Sequence, residues 1–364
     1  MLAVLAGAAV PASALAHPFE LTNIEMRLGA GTYRMDITFH VDAMLADVPL
    51  GDLSADQYQR LRALPESEIE RRLEMARQYF SVMVGVRFDG QTVASRVTFP
   101  VRESHRDGDR PALPGHLVRL DGAIPEGARA FTLTAAPVFN MIALRIVGPR
   151  GEPVDQMLDP LRESEPYPLN AQPPVRGRAD VVLEYLRLGF LHIVPRGLDH
   201  MLFVLGLYLL SVRLGALLWQ VTAFTVAHTL TLGLSTFGVL RLAPTVVEPL
   251  IALSIAYVAV ENLFTSELKP WRPAIVFAFG LLHGLGFAGV LAGLGLPRER
   301  FVSALIGFNS GVEVGQLTVI AAAFAVVGWW RSDPRYRTRV VIPASAAIAV
   351  VGCYWAVVRS MASL

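Results

Sequence analysis

Hydrophobic residues alternate with polar ones in the first part of the chain and run almost unbroken from residue 179 onward. Alternation with a period of two predicts half-buried β-strands, and turn signals rich in Gly, Asp and Pro separate the segments that show it. The candidate strands are Phe19–Leu28, Tyr33–Val41, Tyr79–Phe88, Thr92–Val101, His116–Leu120, Ala130–Val138 and Ile142–Val147. The pattern predicts an antiparallel, sandwich-like β domain over residues 17–165.

A helical stretch interrupts this β pattern at residues 54–77. Ser54 is a suitable N-cap, and apolar residues then follow at roughly helical spacing up to Leu73. We therefore expect a helical insertion in the β domain. Residues 166–178 contain several prolines, which indicates an extended linker to the rest of the chain.

The second half of the chain, residues 179–364, predicts an α-helical membrane domain of six spans. The expected spans are Leu198–Val212, Ala216–Leu240, Val246–Phe264, Ala274–Leu294, Phe301–Trp329 and Val340–Val358. An apolar stretch also precedes the first span, and Pro195 with Gly197 should kink or break a helix that joins the two. The fold class that follows is a polytopic helical membrane protein with a mostly β N-terminal domain.

Composition agrees with a membrane protein and argues against nucleic-acid binding. The 364 residues are 53% hydrophobic and 17% charged, whereas soluble domains average about 25% charged residues. The net charge of +1 comes with no basic face or nucleic-acid reader motif. Basic residues cluster in alternate loops between the spans, and these loops should face the cytoplasm.

Residues 1–16 predict a signal peptide. The segment is apolar and ends in Ala14-Leu15-Ala16, a small-x-small cleavage pattern, while the missing basic residues ahead of it suggest a truncated start. Cleavage would leave His17 as the first residue, where its amine and imidazole could bind copper or nickel together with His40, His105 or His116. An exported N-terminal domain agrees with the loop charges, so we expect an inner-membrane protein whose N-terminal domain is periplasmic.

Ionisable and amide side chains interrupt the apolar spans, and they are the candidate functional residues. An ionisable group in hydrocarbon costs at least about 2.5–3.5 kcal/mol, so such groups usually face a protein interior or a polar pathway. Imidazole and carboxylate ligands together suit a divalent transition metal. The candidate metal ligands are His192, Asp199, His200, His228, His283 and Glu313, with Asn309, Gln316, Glu248, Glu261 and His17 as secondary candidates.

Several of these residues also have purely structural interpretations. Asp199 could cap a helix or orient an imidazole, Glu248 could face water, and Glu261 could reach the membrane surface by snorkelling. By contrast, Asn309, Glu313 and Gln316 share one helical face through their spacing of four and then three residues. A carboxylate at the depth of Glu313 demands a partner, which makes it the strongest candidate on its span.

The membrane half resembles the HupE/UreJ family of hydrogenase and urease accessory membrane proteins over about residues 180–360. The matching motifs are His192-Ile-Val-Pro-Arg-Gly-Leu-Asp199-His200-Met-Leu-Phe, Thr222-Ala-Phe-Thr-Val-Ala-His228-Thr-Leu-Thr-Leu, Glu248-Pro-Leu-Ile-Ala-Leu-Ser254-Ile, Phe279-Gly-Leu-Leu-His283-Gly-Leu-Gly-Phe-Ala and Phe308-Asn309-Ser-Gly-Val-Glu313-Val-Gly-Gln316. The resemblance implies a six-span nickel permease that feeds metalloenzyme maturation. The exported domain makes this chain a divergent, long branch.

Three functions are open at this point. The first is a permease for a divalent metal cation, nickel before cobalt, copper, zinc or iron, which would not be an enzyme. The second is a non-transporting anchor or assembly subunit for an exported metalloenzyme, and an exported metallochaperone is a further possible partner. The third is an intramembrane metalloenzyme, because three His and a Glu can form a catalytic site.

Overall fold

The computed structural model describes residues 21–48, 53–100, 113–139, 141–149, 151, 153–159, 161–171, 177–210, 213–240, 242–293 and 301–361. Contacts divide the described chain into two compact units, one within residues 20–175 and one formed by residues 176–292 and 296–364. The expected signal peptide at residues 1–16 and the candidate ligands His17 and His105 lie outside the described residues.

Two β-sheets form the first unit in the described part of the chain. Their strands are β1 (Leu21–Leu28), β2 (Thr32–Thr38), β3 (Val84–Phe88), β4 (Gln91–Thr92), β5 (Arg96–Thr98), β6 (Leu117–Ala123), β7 (Ala130–Ala135), β8 (Met141–Val147), β9 (Pro153–Leu158) and β10 (Tyr167–Pro168). One sheet has the order β5-β6-β2-β1-β8-β9 and the other β10-β7-β3-β4. The expectation of a wholly antiparallel sandwich is wrong for β1 and β8, which pair in parallel across a long crossover.

Helices α1 (Val41–Ala46), α2 (Ala55–Arg62) and α3 (Glu66–Met83) interrupt the strands. Ser54 caps α2 as predicted, in a capping box with Gln57. The strand predicted at Tyr79–Phe88 is wrong in its first half, because α3 continues to Met83. Phe80 lies on the buried face of this helix and packs edge-to-face against Phe39, 5.1 Å between ring centroids.

Three further differences concern short or late strands. The predicted strand Thr92–Val101 is split into β4 and β5, and its last residue lies outside the described part. Alternation alone did not identify β9. The predicted linker at residues 166–178 begins with β10, where Tyr167 pairs with Phe131 of β7. Two-residue strands are stabilised by their neighbours and carry too few residues for a period to be seen.

Seven helices form the described part of the second unit. They are α4 (Arg178–Ile193), α5 (Leu198–Leu210), α6 (Leu214–Thr236), α7 (Pro244–Phe264), α8 (Arg272–Gly293), α9 (Phe301–Val327) and α10 (Ile342–Met361). Among the described residues, four segments are long and apolar enough to cross a membrane: α6, α7, α9 with its extension to Trp330, and Arg337–Met361. Helices α4 and α5 meet at 72° and together would make a fifth, whereas the apolar part of α8, Arg272–Gly286, is shorter.

Glycines let two pairs of helices in this unit approach closely. On α9, any side chain at Gly311 would collide with the main chain of α4 at Leu186, and one at Gly307 would collide at Val182. On α8, a side chain at Gly284 would collide with the carbonyl oxygen of His228 in α6. Small residues therefore bring these backbones together, as they commonly do in membrane helices.

Candidate metal centre

Four histidines from four different helices form one buried cluster, which we call the four-histidine cluster. His192 lies in the last turn of α4, His200 in the first turn of α5, His228 near the middle of α6, and His283 on α8. The ring of His200 is central, with its centroid 4.8 Å from those of His192 and His283 and 5.9 Å from that of His228. All four residues are at most 6% exposed. These four candidate ligands come together although up to 91 residues separate them in sequence.

Three of these four histidines place ring nitrogens close enough to share one ion, and His283 lies outside that group. His192, His200 and His228 can each offer a ring nitrogen such that all three lie within 4.8 Å of one another. Nε2 of His200, Nε2 of His228 and Nδ1 of His283 have no hydrogen-bond partner among the described residues. Buried polar atoms are normally satisfied, so unpaired nitrogens that converge on one place are typical of a ligand-binding site. Imidazole is a good donor to Zn, Cu, Fe and Ni.

Asn309 of α9 fixes the ring of His228. Its Oδ1 lies 3.1 Å from Nδ1 of His228, while its own amide group donates to the carbonyl oxygen of Leu305 at 2.9 Å. Because the amide is already donating elsewhere, the oxygen must accept from Nδ1–H of the histidine. That tautomer leaves Nε2 of His228 with a free lone pair, which is the form that binds a metal.

Ser254 of α7 has the same effect on His283. Its hydroxyl donates to the carbonyl oxygen of Ile251 at 2.7 Å and lies 3.1 Å from Nε2 of the histidine. Since a hydroxyl has a single hydrogen, the serine oxygen accepts from Nε2–H of His283. The other nitrogen, Nδ1, therefore carries the free lone pair, and it is the one without a partner.

Aromatic rings enclose the cluster. Phe224 lies against His283 at 5.0 Å between centroids, Phe203 against His283 at 5.3 Å, and Phe308 against His192 at 5.5 Å. These side chains are buried and apolar, so the described surroundings of the imidazoles have a low dielectric constant. Such an environment strengthens any interaction with a cation.

Asp199 pairs with an arginine beside the cluster. Both of its carboxylate oxygens accept hydrogen bonds from the guanidinium of Arg359 in α10, each at 3.1 Å. The side chain of Arg359 is 7% exposed, and it also stacks over Trp355 at 5.2 Å. This bidentate pair fixes the start of α5, one residue before His200. The suggested role of Asp199 as a partner of histidine stays a prediction, because the hydrogen bonds described for its carboxylate come from Arg359.

Glu313 and Gln316 face α6 beside the cluster. The carboxylate of Glu313 accepts hydrogen bonds from Thr222 Oγ1 at 2.8 Å and from Thr225 Oγ1. Thr225 also lies 3.0 Å from Oε1 of Gln316. Among the described residues, Glu313 is not in the group of histidines that could share an ion. The two side chains thus border the centre and are not shown to ligate it.

Glu248 and Glu261 serve other contacts. The main-chain oxygen of Glu248 lies 3.4 Å from Arg359 Nη1. The carboxylate of Glu261 lies 3.4 Å from Arg272, whose side chain is 1% exposed and also donates to Asn262. Snorkelling does not describe Glu261, because it pairs with this buried arginine. Arg272 is the first residue of α8, and its burial there excludes it from the basic residues of an exposed loop.

Sequence reasoning missed two residues that shape the centre, Ser254 and Arg359. A lone serine in an apolar helix carries little signal, since its hydroxyl commonly bonds its own helix. Arg359 gives a stronger signal in the sequence, because a basic residue at the end of an apolar span must either reach the membrane surface or pair with an acidic residue. Asp199 was available as that partner, but 160 residues separate the two.

The second unit resembles a known protein family. A family model described as HupE / UreJ protein matches residues 172–359, slightly more than half of the chain. No curated protein and no solved structure matches the chain. The matched region contains the apolar helices and all four histidines of the cluster. This chain is a membrane protein that belongs to the HupE/UreJ family.

Proposed function

We propose that this protein is a membrane permease for a divalent transition-metal cation, with nickel as the first candidate. Membership of the family indicates a metal-related accessory or permease role. The observation that carries the proposal is the convergence of ring nitrogens from His192, His200 and His228 within 4.8 Å of one another, with no hydrogen-bond partner among the described residues for Nε2 of His200 and Nε2 of His228. A neutral imidazole already has a free lone pair, so it does not have to release a proton when it binds a divalent ion.

The donor set favours passage of the ion over permanent storage. Imidazoles carry no charge when they bind, and the nearby carboxylates are engaged elsewhere, Asp199 with Arg359 and Glu313 with threonines. An ion held only by neutral ligands keeps its full charge in a low-dielectric surrounding and is released more readily than from a carboxylate cage. Conduction needs binding that is strong enough to admit an ion and weak enough to release it.

The bend between α4 and α5 is the place where we expect movement. His192 lies before the bend and His200 after it, and the two helices meet at 72°. Broken helices line the central sites of many transporters, where their separate halves move against the rest of the bundle. A change in this bend would separate two ligands of one ion and open the buried cluster toward one side of the membrane.

The proposal extends to location and partners. The loop charges support an inner-membrane protein whose first unit is periplasmic, where it would meet metal before transport. An exported metalloenzyme or a metallochaperone is the expected partner on that side. The apolar helices supply the contact with lipid.

An intramembrane metalloenzyme is the second candidate function. It is favoured by the enclosure of the four-histidine cluster, because three histidines with one open position form a common catalytic zinc site. A resident metal would be retained at one equivalent through purification and would not cross the membrane. A cargo ion would exchange.

Uptake into proteoliposomes tests the permease. We expect accumulation of nickel by the wild-type protein and at least about tenfold less by His200→Ala, His228→Ala and His283→Ala, because each removes a ligand. Thr236→Ala is the matched control for His228→Ala, since it lies two turns further along α6 and only bonds its own helix. Unchanged accumulation of nickel, cobalt, copper, zinc and iron in all three histidine variants would refute transport through this cluster and leave the anchoring role and the metalloenzyme.

A further inference from the structure

A second group of possible ligands lies in the first unit, at the end of the ladder between β2 and β6. Thr38 pairs with Leu117, and the next residue, Phe39, donates its amide to the carbonyl oxygen of His116 at 3.0 Å. The ladder thus extends by one residue beyond the strands. It places His116 beside His40, the residue that immediately precedes α1.

Three side chains meet at this point. The imidazole rings of His40 and His116 are 4.3 Å apart between centroids, and Nε2 of His116 lies 3.3 Å from Oδ2 of Asp42. The other carboxylate oxygen, Oδ1, accepts from the amide of Ala43 at 2.9 Å, which fixes the rotamer of Asp42. Each of the three residues can offer one ligand atom, with all three atoms within 4.8 Å of one another.

The exposure of these residues suits an exchangeable ion. The side chain of Asp42 is 11% exposed, whereas that of His116 is 34% exposed. The carboxylate therefore forms a buried base, and the imidazoles form an edge that water can reach. An ion at this place would keep open coordination positions for water or for a ligand from another molecule.

An ordinary ion pair explains only part of the arrangement. An ion pair between His116 and Asp42 uses only two of the three side chains, whereas the ring of His40 also lies 4.3 Å from that of His116. Two neutral imidazoles and one carboxylate can all bind a divalent cation that lies between them. The charge and the donor types then both fit the borderline metals, which imidazole and carboxylate bind together.

We propose that His40, Asp42 and His116 bind one divalent transition-metal ion in the first unit. The site is separate from the four-histidine cluster, because its ligands all belong to the other compact unit. It does not depend on transport, so it stands or falls independently of the permease. Because the site has three protein ligands and an edge that water can reach, we expect its ion to bind and dissociate reversibly.

Equilibrium dialysis of the chelator-stripped, full-length protein in detergent against Zn²⁺ tests the site. Asp42→Asn keeps the oxygen that accepts from Ala43 but loses the charged ligand, and His116→Gln removes an imidazole. Asp47→Asn is the matched control, because it makes the same chemical change at the end of the same helix, in a left-handed conformation that asparagine accepts. Circular dichroism confirms that each variant is folded.

The wild-type protein should bind one more equivalent of Zn²⁺ than Asp42→Asn or His116→Gln, or bind that equivalent at least about tenfold more tightly. Asp47→Asn should bind as the wild type does. His228→Ala should lose a different equivalent, so that its effect adds to that of Asp42→Asn. Equal stoichiometry and affinity in the wild type, Asp42→Asn and His116→Gln would overturn the proposal, whatever His228→Ala does.

Discussion

Asn309 accepts a hydrogen bond from His228 at 3.1 Å while its own amide donates to Leu305, and this contact decides which nitrogen of the histidine can bind a metal. The relationship joins α9 to α6 at the edge of the four-histidine cluster. An uncharged residue of an apolar helix thus determines the tautomer of a histidine in the cluster.

Replacing Asn309 by leucine should weaken metal binding without removing a ligand. Nδ1 of His228 would lose its acceptor, and the ring would no longer be held in the binding tautomer. Loss of such a partner typically costs about 10- to 100-fold in metal affinity. The affinity for Ni²⁺ is measured by equilibrium dialysis on the full-length protein. Asn309→Asp keeps the acceptor and should retain most of the binding, so equal weakening in both variants would contradict this role.

Replacing Ser254 by alanine should have a similar but separate effect through His283. The serine oxygen accepts from Nε2–H at 3.1 Å, and its loss frees the ring to change tautomer and orientation. We expect about tenfold weaker Ni²⁺ binding in Ser254→Ala and near wild-type binding in Ser254→Thr, which keeps the hydroxyl. If the threonine variant binds as weakly as the alanine variant, packing of this position and not its hydrogen bond is what matters.

Removing Arg359 should destabilise the helical unit more than removing both members of its ion pair. Arg359→Met leaves the carboxylate of Asp199 without its two hydrogen bonds, and breaking a buried pair from one side costs about 3–5 kcal/mol. Because Asp199 is 24% exposed, we expect the lower end of that range. Thermal unfolding in detergent should show a lower midpoint in Arg359→Met than in the double variant with Asp199→Asn. If the changes in midpoint caused by Arg359→Met and Asp199→Asn simply add up in the double variant, the two residues are not coupled.

Glu68 should stabilise the first unit only above strongly acidic pH. Hydrogen bonds from Arg71, and then from Arg72, lower the pKa of this carboxyl from its ordinary value of 4.5 to about 2. A lowered pKa in the folded state means that the stabilisation is complete above pH 4.5 and is lost as pH falls toward 2. Thermal midpoints of wild type and Glu68→Gln should therefore differ at neutral pH and converge in acid. Glu66→Gln, on the same helix, provides the baseline, and a pH-independent difference would contradict the assignment.

The sequence allowed the histidines to be predicted because each is an ionisable group in an otherwise apolar segment. Each could be identified as a candidate from its own segment, without knowledge of its neighbours in the fold. This holds for His192, His200, His228 and His283. Asn309 was found through its spacing with Glu313 and Gln316. Spacing does not give the partner of a residue, however. Glu313 lies one turn from Asn309 yet bonds threonines of α6, because the side chain reaches whatever the adjacent helix presents at that level.

In both units, the sequence did not predict the contacts between residues that lie far apart along the chain. The parallel contact between β1 and β8 depends on a crossover that local alternation does not encode. The ion pair between Asp199 and Arg359 joins segments at opposite ends of the helical unit. Alternation also failed at Tyr79–Met83, where helix α3 continues because Phe80 buries its ring at helical spacing.

X-ray absorption at the nickel edge tests the central claim most directly. The sample is the full-length protein carrying Asp42→Asn, loaded with one equivalent of Ni²⁺, so that the site of the first unit does not contribute. The account predicts scattering from several imidazole rings around nickel, reduced in number when His200→Ala is added. A shell of oxygen ligands without imidazole scattering, or a spectrum unchanged by His200→Ala, would contradict it.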